Sequence, residues 1–249
     1  MRFYCLLLLL VSASIPLSKS FGQGTPELTF LTLHNPPYSF LNEEGEVEGV
    51  SISKLRWIME KAGLNYKISI SVWPRPLKLI NDDPYNFIIL LGRNAERENN
   101  FSWVIPLHSK PSYLVARNEK EFLDLPIDIN DITKIKKYKY GCLADSSQCF
   151  LLKKHGVDEN QIISIRGESF AKLAQLLDRN RIDFFITEKE AIQPYADTYD
   201  IPKERLIPLV SLKEQRVSYL AGNKNLAPDI ISKIRNALKE YDAEFPNDK

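Results

Sequence analysis

Two arginines stand just past an apolar run, and they are the residues best placed for chemistry. The run is Phe87 to Leu91, it ends in Gly92, and Arg93, Arg97, Phe101 and Trp103 follow. Such a run reads as a buried strand meeting a turn. Ligands of open α/β sheets sit just outside the carboxyl ends of strands. A guanidinium there can bond both oxygens of a carboxylate at once. The chemistry expected is the gripping of a small anionic or zwitterionic solute. Arg97 is the first candidate. Arg93 either adds a second positive charge or packs against Trp103.

Other chemistries find little support. His34, His108 and His155 are scattered without metal-ligand spacing and read as surface or turn residues. There is no Ser-His-Asp pattern and no phosphate-cradling glycine loop. No cofactor is implied.

The elements around these residues alternate between strand and helix, as α/β folds do. Strands are expected at Leu28 to Leu33, Tyr66 to Val72, Asn86 to Leu91, Ser112 to Arg117, Lys139 to Leu143, Ile162 to Ile165, Ile182 to Thr187 and Gln215 to Ala221. Helices are expected from Ser51 to Ala62, Pro76 to Ile80, Ser146 or Ser147 to His155, Phe170 to Arg179 and Leu226 to Phe245. In the first, Ile52, Leu55, Ile58 and Met59 share one face and Gly63 stops the helix. The stretch from Glu119 to Lys137 is charged and irregular.

The N-terminus has the layout of a secretory signal peptide over residues 1–22. Arg2 precedes an apolar core with five consecutive leucines, and small residues follow. That core is shorter than the about 20 residues a membrane span needs. Removing Arg2 and Lys19 takes 33 basic residues to 31 against 32 acidic ones, a net charge of −1. Nothing in that balance points to nucleic acid. An exported compartment permits a disulfide between Cys142 and Cys149, seven positions apart, but spacing alone does not fix its geometry.

The segments N-P-P-Y-S-F, E-G-V-S-I-S-K-L, W-P-R-P-L, G-R-N-A-E-R-E-N-N-F-S-W-V, Y-G-C-L-A-D-S and R-I-D-F-F-I-T-E occur in that order. In this combination the chain resembles the family-3 bacterial extracellular solute-binding proteins, which include polar amino-acid receptors of ABC transporters. The resemblance covers essentially the whole mature chain. It implies a two-lobed periplasmic-binding-protein clamshell. Each lobe would be a mixed sheet flanked by helices, and two crossing strands would form the hinge. Lobe 1 is expected at 26–116 plus 209–249 and lobe 2 at 117–208. The hinge is expected near Ala116-Arg117 and Pro208-Leu209.

The same resemblance implies roles for single residues. Arg97 would grip the ligand carboxylate, and Ser146 would supply a second-lobe hydroxyl while also capping its helix. Glu188 would meet the ligand amino group. Tyr38 and Trp73 would line the first lobe, or serve as core. Arg75 would reach the cleft mouth. Asp183 is read as orienting its strand. Two departures matter: Ser51 and Ser53 stand where amino-acid binders often carry an acid, and Asn94 replaces a hydroxyl residue. The implied protein is a monomeric periplasmic receptor without chemistry of its own. It would serve a transporter permease or a membrane sensor. The alternative on this scaffold is an enzyme like the cyclohexadienyl dehydratases, with Glu188 as its acid.

Overall fold

The computed structural model describes residues 26–126 and 137–248, so the expected signal peptide lies outside the described residues. The first half opens with β1 (Leu28–Thr32), the short hairpin β2 (Phe40–Leu41) and β3 (Val47–Glu48), and α1 (Val50–Ala62). Then come β4 (Tyr66–Ile70), α2 (Arg75–Leu79) and β5 (Asn86–Gly92). Strand β1 lies parallel between β4 and β5. Helix α1 buries Ile52, Leu55, Ile58 and Met59, the face its spacing predicts. Each such side chain contributes roughly 1.5–3 kcal/mol on burial. The helix ends where Gly63 takes the left-handed conformation, φ 62°.

Two long strands carry the chain between halves. β6 (Phe101–Arg117) has 17 residues and β10 (Leu206–Asn223) has 18. They pair antiparallel from Phe101↔Asn223 to Arg117↔Leu206. At one end β10 also pairs with β5, through Ser218↔Gly92 to Gly222↔Phe87. At the other end β6 pairs with β9 (Phe184–Glu188), through Ser112↔Glu188 to Val115↔Phe185. The result is one mixed sheet of order β4-β1-β5-β10-β6-β9-β7-β8, shared by two lobes.

Both long strands exceed the segments expected from sequence. Pro106 and Pro111 both lie within β6 and are accommodated there. Pro106 pairs with Tyr219 beside one register shift, and Pro111 with Gln215 beside another. A proline's missing N–H is tolerated where the ladder slips.

The second half holds α3 (Lys120–Leu123), β7 (Tyr140–Leu143), α4 (Ser147–Lys154), β8 (Ile162–Ile165), α5 (Ala171–Asp178), β9 and α6 (Lys189–Asp197). The one-turn helix α3 falls in the stretch expected to be irregular. β7 is parallel to both β8 and β9. Asp183 accepts from the backbone N–H of Lys139 at 2.8 Å and pairs with Arg117 at 3.5 Å, which anchors the start of β9. The closing helix α7 (Pro228–Glu244) returns to the first half, burying Ile230, Ile234 and Tyr241. Cys142 and Cys149 are joined by a disulfide, Cα–Cα 5.4 Å, tying β7 to the first turn of α4.

Each half has its own core, and a third apolar cluster joins Tyr38, Trp73 and Leu91 of the first half to Leu143, Phe170, Phe185 and Tyr195 of the second. Among the described residues, no helix is long and apolar enough to cross a membrane.

Candidate ligand site

The site begins at the end of β5, where the chain turns through Asn94 into a 3-10 turn, Ala95–Arg97. The Asn94 side chain accepts from the Arg97 backbone N–H at 3.1 Å and fixes that turn. The Arg97 side chain thereby points between the halves and is only 8% exposed. Its Nη1 donates to the Gly92 carbonyl at 3.4 Å and its Nη2 to the Asp145 carbonyl, in the other half, at 2.6 Å. Burial pulls this guanidinium below its ordinary pKa, while Glu96 and Asp145 oppose the shift. An arginine so placed remains a cation.

Facing it is the turn from β7 into α4. Asp145 takes a left-handed φ of 60°, which Asp tolerates better than most residues. Ser146 caps α4, its Oγ accepting from the Cys149 N–H at 3.3 Å. Trp73 crosses between the halves as well. Its Nε1 donates to the Ala144 carbonyl at 2.6 Å, and its own carbonyl accepts from Gly167 at 3.0 Å. Arg97, Ser146, Trp73, Asn35, Gln148 and Arg216 all line the cavity enclosed here. Its volume is about 20 Å³. That suits about one water and no amino acid.

The remaining candidates lie elsewhere. Arg93 is paired with Glu98 and stacks over Trp103 and Tyr219, 5.3 and 5.5 Å from the ring centroids. It therefore takes the packing role and lines a neighbouring, larger chamber. Arg75 is exposed on α2 and lines neither cavity. Tyr38 is 3% exposed and lies flat on the His108 ring, centroids 4.3 Å apart, so its face is covered by protein. Burial raises its hydroxyl pKa, with Glu188 acting in the same sense.

Glu188 is 1% exposed and lines neither cavity. Its Oε1 faces Arg216 Nη1 at 3.3 Å, and its Oε2 accepts from Thr187 Oγ1 at 3.3 Å. The carboxylate expected to meet a ligand amino group thus meets a guanidinium of β10.

Arg216 carries no motif, and the sequence gives one faint signal of its place. Residues 216, 218 and 220 share one strand face, and Ser218 and Leu220 are buried. An arginine on an inward face invites a partner. His108, read as a surface or turn residue, stands instead in the middle of β6, with Nδ1 3.4 Å from Ser51 Oγ.

The model of the bacterial extracellular solute-binding proteins, family 3, matches residues 28–244. The chain belongs to that family. No curated protein sequence matches it. Solved structures show the same two-lobed fold at low identity. A mutant of ArgBP from T. maritima aligns at 15% identity with a TM-score of 0.72, covering 88% of this chain and 91% of that one. ArtJ from Geobacillus stearothermophilus, an arginine-, lysine-, histidine-binding protein, aligns at 15% identity and 0.74, covering 89% and 91%. A histidine kinase sensor domain similar to periplasmic binding proteins aligns at 13% and 0.75, covering 90% and 94%. A solute-binding role follows for this family-3 protein, and the extracellular family implies a secreted or periplasmic location.

Proposed function

We propose that the protein captures a small carboxylate-bearing solute, an amino acid or related acid, between its lobes and presents it to an inner-membrane transporter or sensor. One observation carries this reading: the Arg97 guanidinium is buried between the halves and bonds the carbonyl just before the α4 N-cap. A carboxylate could take the place of the Asp145 and Gly92 carbonyls on Arg97. The N-terminal end of α4 favours an anion at the same spot. A cavity of about 20 Å³ requires the lobes to part before a solute enters. Only a ligand touching both lobes then favours closure over the open form.

The lobes would be divided where the sheet changes partners, near residue 111 of β6 and between 212 and 215 of β10. That is a few residues inside the boundaries expected from sequence. The register breaks between Ser211 and Gln215, and Leu114, Ala116 and Leu212 pack in the second-half core. Residues 1–22 would be removed on export.

The dehydratase-like alternative needs an acid aimed at a substrate. Glu188 faces Arg216 instead, and no observation favours that reading. Mass spectrometry of small molecules released from the purified protein tests the receptor reading. A carboxylate solute at near-equal molar ratio supports it, and a retained solute with no acid group contradicts it.

A further inference from the structure

Beside the small cavity lies a chamber of about 440 Å³, within the range typical of small-molecule sites. It too sits between the halves. One wall comes from the turn after β5 and from β6 and β10, the other from α4. Three of its lining side chains are basic, Arg93, Lys154 and Arg216, and none is Asp or Glu. Phe150, Leu151 and Val217 supply an apolar surface.

Arg216 lines both this chamber and the small cavity that holds Arg97. Its side chain is only 11% exposed. Although 3.3 Å from Glu188, its Nε and Nη1 make no hydrogen bond, and neither does the buried Oγ of Ser112, which lines the same chamber. Buried donors without hydrogen-bond partners are costly, of order 1–3 kcal/mol each.

Resting on the receptor reading, we propose that the solute is an amphipathic organic acid lacking an α-ammonium group, its carboxylate shared by Arg97 and Arg216, which line the same small cavity, and its apolar body laid against Phe150, Leu151 and Val217 of the adjoining chamber. An ammonium is disfavoured for a specific reason. No Asp or Glu lines the chamber to receive it, and Glu188 is already engaged with the Arg216 guanidinium. A carboxylate between two guanidinium groups gains charge-assisted bonds in a partly water-excluded site, where such bonds are strengthened.

Matched pairs of ligands test this by titration calorimetry on the mature protein: phenylalanine against 3-phenylpropanoate, and leucine against 4-methylpentanoate. The acid without the amino group should bind at least about tenfold tighter than its amino acid in each pair. The double variant Arg216→Gln, Glu188→Gln removes both charges without stranding a buried carboxylate. It should cost the organic acid about tenfold or more, and Phe150→Ala, on a different element, several-fold. Tighter binding of the amino acids overturns the inference, as does failure of both organic acids to bind. Unchanged affinity in the Arg216 and Phe150 variants, with binding lost in Arg97→Ala, also overturns it. That last pattern would leave the receptor reading intact, which separates the two.

Discussion

His108 is held neutral by its surroundings. Burial lowers its pKa to about 3, and Arg216, Lys110 and Lys54 push in the same direction. The ring lies on Tyr38 and its Nε2 is buried without a partner, so protonation would place a cation in an unreceptive site. In an unfolded chain the same imidazole titrates near 6.5. The folded pKa is therefore the lower one, and the unfolded state binds the extra proton between the two values. The stability this group contributes is complete above pH ~6.5 and is lost as pH falls toward 3, with a slope of at most about 1.4 kcal/mol per pH unit. Comparing urea unfolding of the native protein and His108→Gln from pH 4 to 7 checks this. The native protein should lose more stability on acidification than the variant, and parallel pH profiles would contradict the assignment. Nothing in the spacing of the histidines shows this environment, because it is made by a residue near the N-terminus and another on β10. Arg216 was obscure for the same reason: its burial depends on pairing between strands far apart in sequence.

Gly92 decides how closely β5 and α4 approach. A Cβ built there would lie 2.4 Å from Ser147 Oγ and 2.6 Å from its Cβ. No rotamer of Ser147 relieves a clash with its own Cβ, so Gly92→Ala must move the helix start away from the strand end. Overpacking of this kind costs about 1–3 kcal/mol. It should also lower solute affinity, because Ser146 would withdraw from Arg97. Ser147→Gly in the same chain should restore much of both, and a double-mutant cycle of thermal stability and binding measures the rescue. Additive losses would place the damage elsewhere. At this scale the sequence was informative where a local rule suffices. The spacing of Ile52, Leu55, Ile58 and Met59 marks α1, and Ser146 and Gly156 bracket α4 with a cap and a positive φ of 79°. The apolar run before Gly92 marks β5. Such rules did not reveal that β6 and β10 each continue through both halves, since Pro106 and Pro111 are tolerated only because the partner strand shifts register.

Across the whole molecule, the halves are joined by the two long strands, share one apolar cluster and touch through directed bonds. Trp73 reaches the Ala144 carbonyl, Arg97 the Asp145 carbonyl, and the Tyr195 hydroxyl the side chain of Asn35. A hydrogen bond involving a charged group contributes about 1.5–3 kcal/mol. A ligand that replaces the Arg97 carbonyl bonds with carboxylate bonds alters the balance between open and closed forms. The order of motifs along the chain was enough to expect this architecture, whereas the cavity lining depended on how the lobes meet. Arg97, Ser146 and Trp73 come together because each sits at the end of an element that faces the opposite lobe. The central claim is that Arg97 holds the solute's acid group. Thermal unfolding with and without the solute identified by mass spectrometry tests it directly, because a ligand at about 100 times its Kd stabilises by about 2.7 kcal/mol. The native protein should show that upward shift and Arg97→Ala should show none. An equal shift in both proteins would contradict the account.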